Sequence, residues 1–161
     1  MSDNDDYVST PARPSAYVVF CDDVRHEIGG KITLVGLYGH TLLASRGGAA
    51  MPKLVACLNF SYPLDMVGQT AEVTLLDRGS KMLTTQVPLL QPGVLMKVRE
   101  DQVIYQAGQI NVPIELIGFV PQNGSALQVH LSVGAFRFES PALHIVAPEP
   151  APEPQPAPLL N

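Results

Sequence analysis

No segment of this chain carries apolar residues at i, i+3, i+4 and i+7 over successive turns, which excludes a helical bundle. Gly93–Gln102 comes nearest and is marginal. No apolar run reaches the length of a membrane-crossing helix, and no apolar segment of a secretory leader follows the acidic start MSDNDD. The expected compartment is therefore the cytoplasm. Basic residues are scattered singly in a chain of net charge −5, so neither nucleic acid nor an anionic membrane is an expected partner.

Cysteine is scarce too. Cys21 and Cys57 come with no Cys-x-x-Cys pair and no histidine cluster, and they read as two reduced, buried thiols. A disulfide between them would need an oxidising compartment. His26, His40, His130 and His144 lie far apart in sequence and are expected to face solvent, whereas zinc would need three of them to converge. There is no glycine elbow, phosphate-cradling loop or HExxH motif. No cofactor is implied.

What the chain does have is alternation with period two. In Lys53–Tyr62, KLVACLNFSY, Leu54, Ala56, Leu58, Phe60 and Tyr62 fall on one face. The same rhythm places Ala71, Val73 and Leu75 together, and likewise Leu127, Val129, Leu131 and Val133. Ala16–Cys21 and Lys31–Tyr38 are more uniformly apolar, as expected for strands covered on both faces or central in a sheet. Weaker strands fit Met82–Val87, Val103–Ala107, Gln109–Leu116, Ala135–Glu139 and Leu143–Val146, with Phe136 and Phe138 turned to the core. Turn residues separate nearly all of them, and Asn123-Gly124 is the strongest hairpin signal. The fold class is all-β, an antiparallel β-sandwich of immunoglobulin-like or C2-like architecture with seven to nine strands and little or no helix.

Three segments follow. Residues 1–15 form a polar, acidic segment expected to be disordered. Residues 16–146 form the sandwich, large enough to bury roughly two thirds of its unfolded surface. Residues 147–161 hold six of the fifteen prolines and should run as an extended polyproline II spacer. That spacer ends in Leu159 and Leu160, which could dock on a partner. It has no arginine beside its prolines, which weakens an SH3-type ligand reading.

The candidate site is the charged stretch CDDVRHEIGGK, with Asp22, Asp23, Arg25, His26, Glu27 and Lys31 between two apolar strands. It admits three readings. As a calcium site, Asp22, Asp23 and Glu27 would supply carboxylates from a loop at one end of the sandwich, but calcium takes six to eight oxygens and only Asp77 stands by to add one. As a catalytic site, Asp22 or Asp23 would orient His26 as base for Cys21 or Ser45, yet neighbours on a strand point to opposite faces. As structure, the aspartates cap the turn, Arg25 and Glu27 pair with each other or with an aspartate, and Gly29-Gly30 returns the chain to the next strand. The structural reading accounts for every residue type without a ligand. His40–Met51, rich in small residues, reads as a long loop.

The stretch FCDDVRHEIGGKITLVGLYG, followed by MPKLVACLNF, resembles a small bacterial and bacteriophage family of unknown function, in which a C-D-D-x-R-x-E block leads into G-K and then G-x-Y. The likeness spans residues 17–60 and rests on Asp22, Asp23, Arg25, Glu27, Gly30, Lys31, Gly36 and Tyr38. It implies a compact all-β domain from a bacterium or phage, and no activity. The leading expectation is a non-enzymatic protein-binding or assembly module whose loops or edge strand contact a protein partner or a second copy. An ion- or ligand-dependent C2-like module centred on Asp22, Asp23 and Glu27 is the alternative, and an enzyme of undefined class comes third.

Overall fold

A computed structural model describes residues 13–29, 31–44, 50–90, 107–122 and 124–146. The acidic start, the proline-rich tail, Ser45, the helix candidate Gly93–Gln102, most of the Val103–Ala107 strand, Gly30 and Asn123 lie outside the described residues.

Ten strands form two sheets, and one 3-10 turn at Leu64–Met66 is the only helical element among the described residues. β1 (Ser15–His26), β2 (Ile32–Tyr38), β4 (Met51–Pro63) and β7 (Ala107–Phe119) make a four-stranded sheet in the order β2-β1-β4-β7. The second sheet runs β3 (Thr41–Leu43), β10 (Leu143–Val146), β8 (Ala126–Val133), β5 (Thr70–Asp77) and β6 (Ser80–Pro88), with β9 (Phe136–Glu139) also on β8. The pairings are antiparallel apart from β3 on β10, which is parallel.

The alternating residues make the core because a pleated strand sends successive side chains to opposite faces. From the first sheet come Phe20, Leu54, Ala56, Leu58, Phe60, Tyr62 and Ile114; from the second come Ala71, Val73, Leu75, Leu127, Val129, Leu131, Val133, Leu143 and Ile145, all buried in one cluster. Phe136 and Phe138 pack against it. The Phe60 ring stacks on Phe136 at 5.5 Å between centroids and lies 5.6 Å from Tyr62. Tyr62 donates to the Leu90 carbonyl at 2.7 Å, and its ring packs against Gly108, where any Cβ would overlap it.

Ser140 breaks the line between β9 and β10. Its hydroxyl accepts from the Val129 amide at 3.0 Å and donates to the Pro141 carbonyl at 2.9 Å. Both strands therefore stay on β8 although the chain steps out of the ladder between them.

Several expectations need correction. The described residues form ten strands against the seven to nine expected, and β2, read as central or covered on both faces, is an edge strand with no fully buried residue. Asp22 to His26 do not form a turn; they continue β1, and the reversal falls at residues 27–31, where the Glu27 amide donates to the Lys31 carbonyl. Thr41–Leu43, inside the expected long loop, form β3, because the free edge of β10 offers them backbone partners. The Asn-Gly stretch joins no hairpin. β7 and β8 lie in different sheets, and the chain between them is held by another element: the Ile145 amide donates to the Ser125 carbonyl and the Gly124 amide to the Ile145 carbonyl. Finally, His130 does not face solvent freely. Its Nε2 is buried on central strand β8 without a hydrogen-bond partner, whereas His144 is exposed.

Candidate functional site

β1 pairs with β4 only as far as Cys21 opposite Val55; beyond that point it pairs with β2 alone. Residues 22–26 and 32–36 thus make a two-stranded arm that leaves the sheet. The departure is at Asp22 and Gly36. Gly36 has φ +65°, a left-handed conformation that side chains resist, and the Asp22 carboxylate occupies the space where its Cβ would be.

The arm curls strongly. At about 3.3 Å per residue a straight strand would hold Tyr17 and His26 roughly 30 Å apart. Yet Ile32, whose partner is His26, lines the same depression as Tyr17 and Val19. The arm therefore bends back across the outer face of the first sheet. Cys21, Val55 and Cys57 are buried on that outer face, apart from the sandwich core.

Each charged residue of the stretch has its own place. Asp22 accepts a hydrogen bond from the Tyr38 hydroxyl across the arm. Asp23 reaches back to the sheet, with Lys53 Nζ at 2.8 Å and Arg25 Nε at 3.3 Å. Lys53 also touches Glu115 of β7 at 2.7 Å, so three strands are tied together through one ammonium group. Glu27 accepts from the hydroxyl of Thr33, whose register partner is Arg25, near the arm's end. His26 and Lys31 are exposed near the tip, and Ile28 projects from it entirely uncovered, at 101% relative exposure. The structure thus joins Arg25 to Asp23, as one of the expected pairings had it, and gives Glu27 a hydroxyl partner instead.

These contacts set the proton affinities. Hydrogen bonds from Lys53 and then Arg25 hold Asp23 below the usual carboxylate range. The same Asp23, with Glu115, holds the Lys53 ammonium above its ordinary value. Burial, reinforced by the Asp22 carboxylate, pushes the Tyr38 phenol up to about 12. Burial raises the Cys57 thiol, and it raises Cys21 as well, with the neighbouring Cys57 adding to the effect. Both thiols are free.

Asp22, Asp23 and Glu27 point to three different partners, and among the described residues no three histidine, cysteine or acidic side chains gather as a metal ion would require. Lys53 and Glu115 are the members that sequence reasoning did not single out. The one available signal was a lysine on the polar face of a strand otherwise dominated by small and apolar side chains, beside a lone glutamate in IELIGF. Among the described residues no helix is long and apolar enough to cross a membrane. Comparisons with family models, curated proteins and solved structures gave no match to this chain.

Proposed function

We propose that this chain is a non-enzymatic protein-binding or assembly module of bacterial or phage origin, acting in the cytoplasm, and that it meets its partner with the tip of the β1–β2 arm. The observation that carries this reading is Ile28, wholly exposed at the end of an arm braced by Asp22–Tyr38 and Asp23–Lys53–Glu115. Single exposed apolar side chains are common. This one stands on a held projection and is flanked by His26, Glu27 and Lys31, the arrangement of an apolar anchor with a polar rim. Covering it would contribute roughly 1.5–3 kcal/mol.

A second contact is supported by β6. Among the described residues this strand pairs with β5 alone, carries no charge from Met82 to Pro88, and exposes Met82 and Leu83. Uncharged edges of this kind pair readily with another strand. The ion-dependent alternative gains less support, since each of its carboxylates already has a protein partner.

The test is capture from extracts of the native host, alongside light scattering of the purified chain. The wild type should recover a defined partner or a second copy, and Ile28→Asp should lose it while keeping the wild-type melting temperature. A monomer that recovers nothing, or a partner held equally well by Ile28→Asp, would refute the arm-tip contact.

A further inference from the structure

The bent arm leaves a depression of about 340 Å³ between itself and the outer face of the first sheet. That lies at the small end of the range of ligand sites, about 300–1,000 Å³. Its lining is divided. Val19, Cys57, Ile32 and Leu34 form an apolar side, and Asn59, Asn111 and Gln109 form a carboxamide side; Tyr17 completes it, its side chain more than half exposed. Strand register explains the grouping. Tyr17, Asn59 and Asn111 occupy one row across β1, β4 and β7, with Val19 and Cys57 one row along.

No charged side chain lines the depression. The Asp23, Lys53 and Glu115 cluster is paired within itself. A phosphate, carboxylate or ammonium ligand would therefore leave water for no opposite charge. The carboxamides hold one another in a chain: Gln109 Nε2 donates to Asn59 Oδ1 at 2.9 Å, and Asn59 Nδ2 donates to Asn111 Oδ1. Each carboxamide has two donor protons and a carbonyl acceptor. The chain consequently leaves donors on all three amides and the Gln109 carbonyl oxygen unspent. They are pre-oriented, which lowers the entropy lost on binding.

We propose that this depression is a binding site for a neutral sugar residue. A pyranose has an apolar face of C–H groups for Tyr17 and the Val19–Ile32–Leu34 side. Its adjacent hydroxyls both donate and accept, which matches the free ends of the amide chain. The site lies beneath the arm and uses neither Ile28 nor β6, so it adds to the protein-binding reading and does not depend on it.

The experiment uses the ¹⁵N-labelled full chain and follows the side-chain amides of Asn59, Gln109 and Asn111 by NMR. Glucose, galactose, mannose and N-acetylglucosamine are added singly to millimolar concentration, with an N-acetylated, C-amidated dipeptide as the competing neutral ligand. At least one sugar should give saturable shifts confined to these amides and to the backbone of residues 17–19 and 32–34. Asn111→Ala and Tyr17→Ala should each weaken the affinity roughly tenfold, the scale of one lost hydrogen-bonding or stacking contact, while keeping the wild-type melting temperature. Absence of saturation with every sugar would overturn the proposal. So would shifts that survive both substitutions, or saturation by the dipeptide alone.

Discussion

Replacing Gly36 by alanine tests the account of the arm at its bend. The residue sits at φ +65°, where an L side chain costs about 1–2 kcal/mol. A methyl group there would also overlap the Asp22 carboxylate and drive it from the Tyr38 hydroxyl. Loss of that hydrogen bond adds about 1 kcal/mol, kept at this modest level because the pair is partly solvated. Gly36→Ala should therefore destabilise the fold by about 2–3 kcal/mol, lowering the melting temperature by roughly 10 °C for a domain of this size. The assay is urea unfolding followed by circular dichroism, with Asp22→Ala and the double variant completing a cycle. Asp22→Ala alone removes the contact that Gly36→Ala also removes, so the two costs should fail to add by about 1 kcal/mol. Strict additivity, or a Gly36→Ala variant within about 0.5 kcal/mol of the wild type, would refute the described packing at the bend.

Three further outcomes are expected. Ultraviolet titration should show one phenol ionising near 12, and Asp22→Asn should lower that value only in part, because burial is the larger cause. Since folding raises this pKa from 10, the associated stability is complete below pH 10 and is lost as pH climbs through 12; Tyr38→Phe should lose less stability than the wild type over that interval, measured by chemical unfolding. Ser140→Ala should cost about 1–3 kcal/mol in the same assay, because the buried Val129 amide would keep no acceptor, and a neutral result would contradict the role given to this hydroxyl. Cys21, fully buried with a raised thiol pKa and outside the lining of the depression, should react with an aromatic disulfide reagent at neutral pH only as fast as the chain unfolds; prompt labelling of Cys21 in a Cys57→Ser variant would contradict its burial beneath the outer face.

The strands were the legible part of this protein. Leu54, Ala56, Leu58, Phe60 and Tyr62 could be assigned to one face from spacing alone, and all five are buried in the core. The alternation of β5 and β8 reads equally well. The Asn-Gly turn misled because a turn signal says that the chain reverses locally, not that the flanking strands pair; here they enter opposite sheets. β3 was hidden because a three-residue strand next to small residues has no periodicity to detect. His130 looked like a solvent-facing residue because its polar position in the alternation is clear, whereas the burial of its Nε2 arises from neighbours on β5 and β9.

The charged stretch shows where reading along the chain reaches its limit. Asp22 and Asp23 are adjacent, yet one belongs to the arm with Tyr38 and the other to the sheet with Lys53. Lys53 and Glu115 lie thirty and more residues from Asp23 in the chain, and only the pairing of β1, β4 and β7 brings them within hydrogen-bond reach. Alternation, the main core residues and the all-β class were settled by the chain itself, because side-chain direction in a strand depends on nothing beyond the next peptide unit. The curl of the arm, the partners of its acids and the hollow beneath it were decided by tertiary structure. Those depend on which strands meet, in which register, and on one glycine whose conformation matters only because an aspartate from another strand fills the space beside it.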